Sequence, residues 1–220
     1  MQLTDYSAVI FDMDGVITDS EHLHAVSEQA LCREYGFDVP LTDWANFQGM
    51  RTDEIFEDLF RRYGHRELPD IRDLLRRKTV LYAQLLSDGV PAVPGAVEFI
   101  RRLRPRVRRI GFCTSSNAAI QQDTFRRLGI GQYFDAVTTG DELTHGKPDP
   151  EPYRKAVAKL ELPAGSCLVI EDSDNGIRSA VAAGCGVLGI TTSFSNGQLL
   201  KFGAKSTFDS YAELIGRFGL

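Results

Sequence analysis

The chain has 220 residues, 43% of them hydrophobic, 10% aromatic and 25% charged. That fits one globular unit, or a core domain with a small insert, able to bury a core without disulfides, and it excludes intrinsic disorder. A net charge of −5 argues against a nucleic-acid partner. No apolar run approaches the roughly 18 residues of a membrane span, so no membrane partner is expected either.

The opening MQLTDYSAVIFDMDG has no basic leader, and its apolar stretch is interrupted by acids. Its first continuous apolar run, Ala8-Val9-Ile10-Phe11, ends in acids and a glycine. From about 19 to 89 only helical patterns follow, over 25–35, 52–63 and 71–86, separated by Pro40, Gly49, Gly64 and Pro69. Val93-Pro94-Gly95 then opens a helix over 96–103. Further strands are expected at 109–113, 136–138, 167–170 and 187–190, with a weaker one at 206–208. Helices are expected over 117–128 and after Asp174-Asn175-Gly176.

Apolar runs that are continuous rather than alternating mark strands buried on both faces. The expected fold is therefore α/β, a doubly wound parallel sheet built from 1–18 and 90–220. An all-helical cap, 19–89, is inserted after the first strand and closes over the sheet's carboxyl edge. Cys32, Cys113, Cys167 and Cys185 have neither metal nor disulfide spacing and read as buried small hydrophobes of a cytoplasmic protein. The arginine run 101–109 has no interleaved aromatics and reads as a solvated rim.

Polar clusters sit just past the strand ends, where such sheets bind ligands. Asp12 and Asp14, two apart in extended backbone, can both enter one pocket, and Gly15 lets the chain turn away. Two close carboxylates require a cation or a shared proton; a surface turn is the plain alternative. Glu171-Asp172 adds two carboxylates if its strand neighbours the first, and an all-oxygen set favours Mg²⁺. The alternative there is capping of the next helix by Asp172 or Ser173. Thr114-Ser115-Ser116-Asn117 reads as an anion site at a helix start, or as a cap alone. Pro148 and Pro150 stiffen the loop around Lys147, so its ammonium is held in place to offset phosphoryl charge; a surface turn is again the alternative.

DMDG, TSSN, GKPDPEPY and VIEDSDNGI, in that order, resemble the four motifs of the haloacid dehalogenase superfamily, and more narrowly its β-phosphoglucomutase-like phosphatase branch. The resemblance runs from about Ser7 to Leu220. It implies Asp12 as the nucleophile that forms an aspartyl-phosphate, and Asp14 as the acid and base. Asp14 would need a raised pKa, sustained by the neighbouring carboxylates. It further implies Mg²⁺ held by the Asp12 and Asp172 carboxylates and the Asp14 carbonyl, with Glu171 acting through a water. Ser115 and Lys147 would hold phosphoryl oxygens, with Ser116 and Asn117 assisting, and His24, Arg51 and Lys78 would face substrate from the cap. Dull alternatives exist for these last three: a surface position for His24, a pairing with Asp53 or Glu54 for Arg51, and solvation for Lys78.

Asp14 argues against carbon–halogen cleavage, and the first lysine, Lys78, comes too late for a Schiff base early in the cap. The expected activity is a phosphatase of a small phosphorylated metabolite, sugar or sugar-like, working as a monomer. A β-phosphoglucomutase-type transfer between sugar hydroxyls is the alternative, and a catalytically silent binding module the third reading. The Gly49-Met50-Arg51-Thr52-Asp53-Glu54 segment resembles the phosphatases more, because the mutase's phosphate-gripping arginine comes one position later.

Overall fold

The computed structural model describes residues 2–64, 67–86 and 89–220. Ala8-Val9-Ile10-Phe11 is too short for a stable helix and has no polar side to offer water. It forms the strand β1 (Ala8–Phe11), fully buried along its length. The other strands are β2 (Arg109–Cys113), β3 (Ala136–Thr138), β4 (Cys167–Glu171), β5 (Gly186–Ile190) and β6 (Ser206–Phe208). They pair in parallel in the order β3-β2-β1-β4-β5-β6. The chain thus winds outward from β1 in one direction, returns to β4, and winds outward in the other. The point of reversal opens a crevice at the strands' carboxyl ends.

Register decides what meets in that crevice. Phe11 lies opposite Phe112 on β2 and Ile170 on β4. One residue further on, Asp12, Cys113 and Glu171 therefore stand at the same level.

Helices cover both faces. Val9, Phe11, Phe112 and Ile170 pack with Phe99 and Ile100 of α4 (Ala96–Leu103), Ile120 of α5 (Ala118–Leu128) and Tyr211 and Leu214 of α9 (Tyr211–Phe218). On the other face Ala8, Ile10 and Val169 pack with Tyr153 and Leu160 of α6 (Glu151–Leu160), Ile177 of α7 (Asp174–Ala182) and Leu199 of α8 (Asn196–Phe202). The alternation of Val9 and Phe11 with Ala8 and Ile10 is the two-residue period of a strand. The four cysteines are free and buried. Arginines 101 and 102 pair with Glu98, and Arg104 and Arg109 with Asp135, so much of the basic run is tied into surface ion pairs.

Between β1 and α4 the described residues form no strand. The insert contains α1 (Glu21–Glu34), α2 (Thr52–Leu59) and α3 (Ile71–Leu85), and residues 65, 66, 87 and 88 of the expected cap lie outside the described residues. The helix expected over 52–63 stops at Leu59 and continues as a π-helical turn, Phe60–Gly64. The insert has its own apolar cluster, including Leu31, Phe47, Phe56, Leu59 and Leu74. Tyr82 and Leu86, by contrast, join the core beneath the sheet, so the end of α3 is anchored to it. No helix among the described residues is long and apolar enough to cross a membrane.

Phe112 is fully buried and meets Phe125 and Phe134 edge-on. Phe112→Ala is expected to cost about 3–5 kcal/mol, read from urea unfolding monitored by circular dichroism.

Candidate active site

Asp12, Glu171 and Asp172 are buried at the crevice, each offering an oxygen within 4.8 Å of the others. Lys147 enters from the loop before α6, and its ammonium donates to Asp12 Oδ1 at 2.6 Å and Glu171 Oε1 at 2.7 Å. One ammonium thus faces three buried carboxylates, leaving two negative charges without a counter-ion.

The titration of the group reflects that imbalance. Burial pushes Asp12 up to about 7 against the pull of Lys147, with Glu171 and Asp14 adding to the rise. Burial, then Glu171 and Asp12, hold Asp172 well above the usual carboxylate range. Burial also opposes the charge on Lys147, but Asp12 and Glu171 outweigh it and hold the ammonium above its ordinary value. A divalent cation could supply the missing charge, and all-oxygen donors are the kind Mg²⁺ takes. Asp12 and Asp172 fit such an ion.

Glu171, expected to act on the metal through a water, has protein partners on both of its oxygens. Its Oε1 accepts from Lys147 and from Tyr153 Oη at 2.8 Å. Its Oε2 accepts from the N–H groups of Asp172 and Ser173 and from Ser173 Oγ. With both oxygens engaged, it fixes Lys147 and the entry to α7. Burial raises its pKa, but Lys147, Tyr153 and the Ser173 N–H together bring it below its ordinary value. Ser173, not Asp172, caps α7 by accepting from Gly176 N, which leaves Asp172 facing the crevice. Gly15 permits that approach: its φ is +73°, and a Cβ there would lie 1.9 Å from Asp172 Oδ2.

Asp14 has a different environment from the one expected. Its Oδ1 accepts from Ser20 Oγ at 2.5 Å and pairs with His24 Nε2 at 3.0 Å. Lys78 Nζ, which has only donors, lies 2.5 Å from His24 Nδ1. Nδ1 must therefore accept, and Nε2–H donates to Asp14. Burial works to raise Asp14, but His24, Ser20 and Lys78 outweigh it and hold the carboxyl at about 2. Asp14 is an ionised group tied to the insert rather than one kept protonated by its neighbours.

A cavity of about 500 Å³ separates the insert from these groups. Asp12, Asp14, Ser115, Ser116 and Asp172 line it from the core, and His22, His24, Glu28, Trp44, Phe47 and Gln48 line it from the insert. Three expected substrate contacts lie elsewhere. Lys78 is buried and paired with Glu28 at 3.7 Å, where it orients His24. Arg51 donates to Leu143 O at 2.6 Å and pairs with Asp53. Asn117 caps α5 by accepting from Ile120 N, and its amide donates to Thr79 Oγ1. Ser115 does line the cavity, but its hydroxyl donates to Gly49 O at 2.6 Å, a contact between core and insert.

Ser20, Tyr153, Ser193 and Glu28 carry parts of the site that the sequence reading missed. Tyr153 is the last residue of the GKPDPEPY motif, so its place there is a usable signal. Ser193, which donates to Asp172 Oδ2, announces itself only by following a strand end.

Residues 6–184 match the family model for haloacid dehalogenase-like hydrolases. Over 217 residues the chain is 32% identical to a phosphorylated carbohydrates phosphatase of Thermotoga maritima, covering 90% of this chain and 91% of that protein. Over 193 residues it is 31% identical to the beta-phosphoglucomutase of Bacillus subtilis, covering 83% of this chain and 82% of that one. The crystal structure of CbbY from Rhodobacter sphaeroides in complex with phosphate shares the fold, with a TM-score of 0.83 at 24% identity, over 98% of this chain and 100% of that one. The buried carboxylates, the lysine between two of them and a family match that spans most of the sequence lead to one assignment: the chain belongs to the haloacid dehalogenase-like hydrolases.

Proposed function

We propose that this hydrolase is a Mg²⁺-dependent phosphatase of a small phosphorylated metabolite, a sugar or sugar-like monophosphate, acting as a monomer in the cytoplasm. The observation that carries the reading is the Lys147 ammonium, 2.6 Å from Asp12 at the cavity floor. It fixes a carboxylate nucleophile and neutralises charge where a phosphoryl group would dock. Asp12 and Asp172, with the main-chain carbonyl of Asp14, would hold Mg²⁺. When bound, the ion keeps the buried carboxylates ionised and offsets phosphoryl charge.

Asp12 attacks phosphorus to form an aspartyl-phosphate as the bond to the leaving oxygen breaks. Asp14 serves that oxygen as acid and then takes a proton from the water that cleaves the acyl phosphate. Its ionised state suits the second step, and an incoming phosphate dianion favours the proton it needs for the first. All these groups come from one chain, and the free buried thiols suit a reducing compartment.

The insert wall favours hydrolysis over mutase chemistry, which must hold a second phosphate. Of the basic side chains on that wall, Arg33 is paired with Asp38 and the neutral His24 is held by Asp14, while His22 is exposed. Arg51 is turned to the core. What the wall offers instead is apolar surface from Trp44, Phe47 and Ile55, and two buried acceptors without hydrogen bonds, Glu28 Oε1 and Gln48 Oε1. Hydroxyl donors on a ring with an apolar face match that chemistry.

Asp12→Asn is expected to lower acetyl phosphate turnover by about 10⁴-fold or more while leaving the circular dichroism spectrum unchanged. Removing divalent ions with EDTA is expected to abolish activity until Mg²⁺ is restored; turnover undiminished by EDTA would contradict the metal. Lys147→Ala is expected to cut kcat by about 10²–10³-fold. With β-glucose 1-phosphate, ³¹P NMR is expected to show inorganic phosphate; glucose 6-phosphate accumulating in its place would establish the mutase reading.

A further inference from the structure

Residues 48–54 of the insert lie across three loops that carry the site. Gly49 O accepts from Ser115 Oγ in the loop after β2, and Gln48 O accepts from Asn175 Nδ2 at the start of α7. The third attachment has three hydrogen bonds. Arg51 Nη1 donates to Leu143 O at 2.6 Å and to Thr144 O at 3.1 Å, and Glu54 Oε1 accepts from Gly146 N at 2.9 Å. Gly146 immediately precedes Lys147. On the core side the same loop is held by Glu151, whose two oxygens accept from Thr144 N and His145 N, each at 2.9 Å.

The loop is thus gripped from both sides, and one grip belongs to the insert. Its fit is close: a Cβ on Gly146 would lie 2.5 Å from Glu54 Oε2 and 2.8 Å from Arg51 Cγ. We infer that Arg51 and Glu54 are positioning residues for Lys147, so that its ammonium is fully placed only while the insert is docked on the core. The inference rests on the phosphatase reading for its effect on rate. A displacement of about 1 Å in a catalytic group can cost about 100-fold, so losing this grip slows transfer whenever the insert lifts. An undocked insert admits bulk water, and a loosened Lys147 then limits chemistry in that state.

Acetyl phosphate is the probe because its leaving group is too small to reach the insert wall. Glu54→Ala is expected to lower kcat by about 10–100-fold with KM changed less than about threefold. Glu54→Gln keeps the acceptor for Gly146 N and is expected to recover most of the rate. Gly146→Ala adds only a methyl group, aimed at the clamp, and is expected to match Glu54→Ala. Hydrogen–deuterium exchange supplies a readout independent of turnover. Peptides spanning 143–147 are expected to exchange faster in Glu54→Ala than in wild type, and Glu54→Gln to stay close to wild type. Unchanged exchange in Glu54→Ala and Gly146→Ala, or a Glu54→Gln enzyme as slow as Glu54→Ala, overturns the clamp. A wild-type enzyme inert toward acetyl phosphate removes the phosphatase reading, and the exchange data still decide whether the grip exists.

Discussion

The ammonium of Lys147, shared between Asp12 and Glu171, is the interaction on which the site's architecture depends. Removing one partner from a buried ion pair typically costs about 3–5 kcal/mol, because the remaining charge cannot recover its water. The fold therefore commits several elements to keeping this one in place. Register sets Asp12, just past β1, level with Glu171 at the end of β4, and Tyr153 from α6 donates to the same Glu171 oxygen that Lys147 does. The Ser173 and Asp172 N–H groups satisfy the other oxygen. Glu171 is thereby the support for the site, and Asp12 and Asp172 line the cavity.

Asp12 and Asp14 show how two like residues, separated by one position, acquire different chemistry. Asp12 belongs to the end of the sheet, where burial and other carboxylates push it up to about 7. Asp14 lies beyond the end of the strand, where it bridges to Thr18 and joins a chain of Ser20, His24 and Lys78 from the insert. His24 also stacks on Tyr82, whose helix is anchored in the main core. Asp14 is accordingly tied to the insert, while Asp12 is tied to the sheet. Docking of the insert brings both into one cavity and, through Arg51 and Glu54, also reaches the loop that carries Lys147.

Much of the sheet was legible because burial on both faces leaves a continuous apolar run with an abrupt polar end. β1, β2 and β3 fall where the apolar runs place them, and β4 and β5 differ only by one residue at an end. Helices α6, α8 and α9 were less legible. α8 spans only seven residues from Asn196 to Phe202, whereas α6 buries Tyr153, Ala156, Val157 and Leu160 at helical spacing, a usable signal. Motif spacing singled out Asp12, Lys147 and Asp172, which meet at the crevice because their positions follow from strand ends and a stiff loop. What it could not show for Arg51, Asn117 and Lys78 is the partner each takes from another element: Leu143 O for Arg51, Thr79 for Asn117 and Glu28 for Lys78.

The order of residues along the chain was enough to determine a parallel sheet with acidic strand ends and a helical insert after its first strand. Those are local properties, set by hydrophobic period, chain stiffness and the polarity of the residue that ends each run. Tertiary structure alone decided which carboxylate receives the lysine, which receives the histidine and which is left facing the cavity. Charge states depend on burial and on neighbours within a few ångströms, and those neighbours come from segments as far apart as Asp12 and Lys147.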